Sequence, residues 1–210
     1  MQVYVIRHGE TEWNKEEVFR GRKDIPLNEA GRRQAEKVGL YFYGRHLNRI
    51  VASPLTRAVQ TAGPISETAG VPVEAMEEFT DMNFGVWEGV SLREVEDRYP
   101  SDLTLWRESP ERLRIERGEN LATVRERISR GFAKLFSDED AAIAVVTHRV
   151  VCKMAVLYLL GIEDRHFWDM KFDPGSITLL DGKNGRFTLV FSNETCHLRE
   201  GLPTTQYRDF

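Results

Sequence analysis

Two kinds of hydrophobic pattern alternate along the chain. Val3-Tyr4-Val5-Ile6 and Ala141-Ala142-Ile143-Ala144-Val145-Val146 are short unbroken apolar runs, expected of strands covered on both faces in a parallel sheet. Residues 47–52 read as a further strand, and Val71-Pro72-Val73 as the opening of a short edge strand. Between these runs the apolar positions recur at helical spacing. After Asn28, a candidate N-cap, Leu27, Ala35, Val38 and Phe42 fall near one face while Arg32, Arg33, Glu36 and Lys37 stay wet. The strongest helical period follows Gly118-Glu119-Asn120, with Leu121, Val124, Ile128, Phe132 and Leu135 on one stripe. Residues 150–160 read as a buried helix closed by Gly161. Ser91-Leu92-Arg93-Glu94 is a capping-box pattern whose helix stops before Pro100, and 101–106 reads as another short helix. Residues 176–180 and 187–191 flank a polar turn and read as a terminal hairpin, followed by a surface tail from Leu198.

This alternation predicts a three-layer α/β/α sandwich with a mostly parallel central sheet. The segment 81–118 breaks the strand-helix rhythm and is expected to be a lid-like insertion over the site, within a single domain spanning 1–210. Trp106, Arg107, Arg112, Arg114 and Arg117 lie in it, either to recognise an anionic or ring-bearing substrate or as a solvated arginine-rich face with one tryptophan on the core.

The chemistry concentrates where strands end. The first apolar run stops at Arg7-His8-Gly9-Glu10-Thr11-Glu12-Trp13-Asn14, which places Arg7 and His8 at the C-terminal edge of the sheet, the edge where open α/β folds bind ligands. Adjacent cations repel, so the pair makes most sense around an anion. Arginine offers a planar fork of donors suited to phosphate, and neutral imidazole is a nucleophile near neutral pH. In Ser53-Pro54-Leu55-Thr56-Arg57, Ser53 is a candidate cap, Pro54 suits the first helical position, and Arg57 falls in the first turn, aimed at the same edge. The 141–146 strand ends at Thr147-His148, and the loop 19–27 is expected to pass close by. His46, His166 and His197 have no such neighbours and read as structural.

The stretch from Arg7 to Asn14 resembles the signature of the histidine phosphatase superfamily, in the branch that contains cofactor-dependent phosphoglycerate mutases and many small phosphatases. The segment Ser53-Pro54-Leu55-Thr56-Arg57-Ala58-Val59-Gln60-Thr61-Ala62 resembles its second motif at every named position. The likeness covers roughly residues 1–160. It implies phosphoryl transfer through a phosphohistidine on His8, with Arg7, Arg57 and His148 stabilising charge on the phosphoryl oxygens. Asn14 and the backbone around Arg20-Gly21 would add neutral donors. Two positions depart from the family pattern. Where it has a glutamate proton donor this chain has Asp81, with Glu78 and Glu88 as fallback candidates. Where a glycine usually follows the second histidine the chain has Arg149, which would bind a second anionic group, narrow the pocket or point away.

Bulk properties narrow the function further. A net charge of −4 over 210 residues gives no electrostatic reason to expect nucleic acid as a partner, so a phosphorylated substrate must meet local positive charge. No apolar stretch approaches the ~20 residues of a membrane span, and the start of the chain lacks a signal-peptide pattern, so the expected setting is cytoplasmic and free of membrane. Cys152 and Cys196 form no Cys-x-x-Cys pair, and no His-x-x-x-His or Cys/His cluster appears at ligand spacing, so a metal-independent mechanism without cofactor is expected. The leading expectation is a phosphomonoesterase acting on a small phosphorylated metabolite, such as a phosphoglycerate-type acid, a sugar phosphate or α-ribazole phosphate. A phosphoglycerate mutase and a non-catalytic phospho-ligand binding module are the alternatives, and a homo-oligomer is compatible with either.

Overall fold

The computed structural model describes residues 1–136 and 141–199. In chain order the elements are β1 (Gln2–Arg7), α1 (Glu12–Lys15), α2 (Glu29–Tyr41), β2 (Arg49–Ala52), α3 (Thr56–Ala69) and β3 (Val73–Ala75), then α4 (Leu92–Arg98), α5 (Pro100–Glu108) and α6 (Leu121–Leu135), and finally β4 (Ala142–Thr147), α7 (Arg149–Leu160), β5 (Ile177–Lys183) and β6 (Arg186–Glu194). The six strands form one sheet in the order β3-β2-β4-β1-β5-β6. The pairs β2–β3, β2–β4 and β1–β4 are parallel; β5 pairs antiparallel with both β1 and β6. The terminal hairpin is thus longer than expected and extends the main sheet.

Alternation along the inner strands separates two cores, because successive side chains of a strand point to opposite faces. Tyr4, Ile6, Ile50, Ala52, Ala144 and Val146 face Val38, Phe42, Ala58, Ala62 and Ile65 of α2 and α3. Val3, Val5, Val51, Ile143 and Val145 face α6, α7 and the apolar residues of 76–115. The sheet is therefore the middle of three layers, as the unbroken apolar runs predict. The stripe Leu121, Val124, Ile128, Phe132 and Leu135 is fully buried. The segment 81–118 carries α4 and α5, and its Met82, Phe84, Trp87, Val95, Leu103 and Trp106 belong to that second core.

One helix start differs from expectation. The helix carrying Arg57 begins at Thr56, with Leu55 as N-cap, rather than at Pro54. Asp24 supplies the cap from the neighbouring loop: its carboxylate accepts from the Thr56 backbone N–H at 2.8 Å and from the Thr56 hydroxyl at 2.7 Å. Ser53 is released for another task. At the other end of the chain, the expected tail lies, beyond Arg199, outside the described residues. Among the described residues no helix is long and apolar enough to cross a membrane.

Candidate active site

Register assembles the site. Arg7 pairs with Thr147 across β1 and β4, so His8 and His148 leave the sheet side by side, their ring centroids 5.1 Å apart. The His8 backbone N–H donates to Thr147 O at 2.9 Å, and that of Ser53 donates to Val146 O at 3.0 Å. Three neighbouring strands thereby deliver Arg7, His8, His148 and Ser53 to one edge.

Both imidazoles are held in defined tautomers. His8 is 1% exposed, and its Nδ1 lies 2.6 Å from Gly9 O. A carbonyl can only accept, so Nδ1 carries the proton and Nε2 keeps its lone pair. Burial, then the Arg57, Arg7 and Arg20 charges, hold its pKa well below the ordinary 6.5, which keeps the ring neutral. His148 is fully buried; its Nδ1 accepts from Arg57 Nε at 3.1 Å, and its Nε2 donates to Ser53 Oγ at 2.8 Å. Its pKa is also pushed well below 6.5, by burial and then by Arg57 and His8.

Arg57 is fully buried, and its other donors reach Lys23 O at 2.8 Å, Gly21 O at 2.8 Å and Asp81 Oδ2 at 3.2 Å. One guanidinium thus ties the 19–27 loop, Asp81 and His148 together. Asp81 Oδ2 is also 3.7 Å from His148 Nδ1, and Oδ1 accepts from the Met82 N–H at 2.9 Å. Of the fallback acids, Glu78 pairs with Lys134 on the surface, while Glu88 Oε1 accepts from the backbone N–H groups of Arg22 and Phe84 at 2.9 and 3.1 Å. Arg7 donates through Nη1 to Phe172 O.

Asn14 Oδ1 accepts from the N–H and hydroxyl of Thr11, each at 2.9 Å, so its NH2 is the end that can meet a ligand. Gly21 has φ +50°, and a Cβ there would run into the Glu88 carboxylate. Arg20, Gly21, Asp81, Phe84, Arg149 and Val150 line a pocket at this edge. Trp106 lies in the core, whereas Arg107 pairs with Glu96, Arg117 with Glu116, and Arg114 donates to Glu111 O and Leu113 O. Among the described residues no three His, Cys, Asp or Glu side chains gather where a metal ion could be held.

The supporting roles of three residues escaped the sequence reading. Ser53 orients His148. Thr61 Oγ1 accepts the Gly9 N–H at 3.0 Å, steadying the His8 turn. Arg127 donates to Asp81 O at 3.1 Å and Glu78 O at 2.8 Å while its fork holds Glu119, and so fixes the Asp81 backbone. A signal for Arg127 existed: it interrupts the apolar stripe beside Val124 and Ile128, where a charge survives only if paired.

Comparison with known proteins places the chain in a family. The sequence profile of the histidine phosphatase superfamily (branch 1) matches residues 3–195. Phosphoserine phosphatase 1 of Hydrogenobacter thermophilus is 31% identical over 202 residues, 95% of each chain. Among solved structures, Bacillus stearothermophilus YhfR superposes with a TM-score of 0.89 at 26% identity, over 94% of this chain and 99% of that one. A mycobacterial glucosyl-3-phosphoglycerate phosphatase superposes with a TM-score of 0.86 at 25% identity, over 92% and 99%.

Proposed function

The chain belongs to the histidine phosphatase superfamily, and from that premise we propose that it is a metal-independent phosphomonoesterase that hydrolyses a small phosphorylated metabolite through a phosphohistidine on His8. The observation that carries the reading is the state of His8: buried, neutral, protonated at Nδ1 by its bond to Gly9 O, and therefore nucleophilic at Nε2.

In the first step the Nε2 lone pair attacks phosphorus and the bond to the ester oxygen breaks. Asp81, in its acid form, gives its proton to that oxygen. In the second step water attacks phosphorus and passes a proton to the Asp81 carboxylate; the P–N bond breaks and its electron pair returns to Nε2. The Arg7, Arg57 and Asn14 donors answer charge on the phosphoryl oxygens. His148, whose two ring nitrogens are bonded to Arg57 and Ser53, meets a phosphoryl oxygen only by exchanging one of those partners. The names of two similar proteins, for phosphoserine and glucosyl-3-phosphoglycerate, support a substrate that joins a phosphate monoester to a carboxylate.

Hydrolysis of p-nitrophenyl phosphate in excess chelator tests this. Wild type should turn over, His8→Ala should lose activity by at least about a thousandfold, and Asp81→Asn should hurt alkyl phosphates far more than the nitrophenyl ester, whose leaving group needs no proton. Undiminished turnover in His8→Ala, or loss of wild-type activity to the chelator, would contradict the reading. Transfer to a phosphoglycerate in preference to water would make the enzyme a mutase.

A further inference from the structure

The two ends of the 81–118 segment are fastened to each other beside Asp81. The Glu119 backbone N–H donates to Asn83 O at 2.8 Å, and that of Val86 donates to Glu116 O at 3.2 Å. The contact is close enough that a Cβ on Gly118 would come within 2.9 Å of Asn83 O. The Glu119 carboxylate sits in this contact, 13% exposed, immediately before the Asn120 cap of α6.

Its two oxygens gather donors from distant parts of the chain. Oε1 accepts from Arg127 Nε at 2.9 Å, while Oε2 accepts from Arg127 Nη2 at 3.2 Å and from the Asn83 N–H at 2.9 Å and lies 3.3 Å from Arg22 Nη2. Burial opposes the charge, but the bonds and charge of Arg127, then the Asn83 N–H and Arg22, outweigh it and hold the carboxyl below the ordinary 4.5. Glu119 is therefore ionised at neutral pH.

These bonds converge on Asp81. The Arg127 fork that Glu119 orients donates onward to Asp81 O at 3.1 Å, and Asn83 lies two residues beyond. Arg22 follows Gly21, whose carbonyl receives the same Arg57 Nη2 that meets Asp81 Oδ2 at 3.2 Å. Asp81 has only two side-chain torsions, so a displaced backbone carries its carboxyl with it. A buried ion pair is a poor source of net stability compared with apolar packing; what it supplies here is a fixed direction for each donor.

Resting on the phosphatase reading, we propose that Glu119 is a positioning residue for that reaction: by holding Arg127 and the Asn83 N–H, it keeps the Asp81 carboxyl where it can protonate the leaving oxygen. The test is how a change at Glu119 depends on the leaving group. In kcat/KM, Glu119→Gln should cost an alkyl ester such as phosphoserine or glycerol 3-phosphate roughly tenfold to a hundredfold, and p-nitrophenyl phosphate far less. On top of Asp81→Asn the same change should add little, because it acts through Asp81. Should Glu119→Gln fail to fold, Arg127→Lys, which keeps a charge beside Glu119 but loses the fork to Asp81 O, is read in the same way. Equal losses on the two kinds of ester, or an undiminished effect beside Asp81→Asn, would overturn the inference. The position is also read without turnover, from crystal structures of wild type and Glu119→Gln: the Asp81 carboxyl should leave Arg57 in the variant, and an unmoved carboxyl would overturn the inference. A wild type inactive on every ester would sink the phosphatase reading, while that structural comparison still decides whether Glu119 places Asp81.

Discussion

At the scale of single residues, the proposed mechanism rests on two histidines kept neutral by burial and by the cations around them. That state has a consequence for stability. The unfolded chain takes up protons on His8 and His148 as the pH falls through 6.5, whereas the fold holds both well below that value. The native state is therefore fully favoured above about pH 6.5 and loses stability as the pH falls below it, until the depressed native values are reached. Glu78, Glu119 and Glu194, held below 4.5 in the fold, add a separate loss only at lower pH, as they protonate through their native values. Thermal unfolding should show a midpoint that falls between about pH 6.5 and 5, with a shallower slope in His8→Ala. Identical slopes would mean that His8 is not held neutral. Much of this residue scale is legible in the sequence: Arg7, His8, Arg57 and His148 announce themselves by standing at strand ends and helix starts. Ser53 misleads, because a serine before a proline is a natural cap. Its hydroxyl faces His148 instead, and Asp24, remote in sequence, takes the capping role.

At the scale of elements, the site depends on how closely α2 approaches the turn after β1. Asn28 caps α2 through the Gly31 N–H at 2.8 Å and donates to buried Glu10 at 2.6 Å, so the cap and the turn that carries His8 are one structure. A Cβ on Gly9 would come within 2.6 Å of Gly31 O, and one on Gly31 would fall on the Glu10 carbonyl. Alanine is the better helix former by about 1 kcal/mol, yet Gly31→Ala should destabilise the protein by about 1–3 kcal/mol through overpacking. It should also lower kcat/KM, because the displaced backbone carries His8. A Gly31→Ala enzyme of full activity and raised stability, measured by denaturant unfolding and steady-state kinetics, would show that α2 does not seat the turn. The long helices and inner strands are readable because one periodic stripe or one apolar run defines each. The four-residue α1 and the 3-10 turns around Glu77–Phe79 and Gly85–Trp87 are not, since no period develops over three or four residues and tertiary contacts decide their shape.

At the scale of the whole molecule, a sheet whose strands β3, β2, β4 and β1 run parallel gathers residues distant in sequence: Phe172, far from Arg7 in the chain, receives its guanidinium, and β5 closes against β1. Strand alternation foretells the layers and the edge at which His8 and His148 meet. It does not foretell that the hairpin extends the sheet beside β1, because an antiparallel pair carries the same pattern whether it stands alone or joins. Nor does it foretell that the apolar residues of 81–118 enter the core, since they are too scattered along the chain to form a period. The account stands or falls on the covalent step at His8. The direct measurement is to mix enzyme with p-nitrophenyl phosphate, quench within the first turnovers under denaturing, non-acidic conditions, and look by peptide mass spectrometry for a phosphoryl group bound to nitrogen. The account predicts an acid-labile phosphoryl group on His8 of the wild type, absent from His8→Ala. An active wild-type enzyme that never carries one, or a phosphoryl group found on another residue, would contradict it.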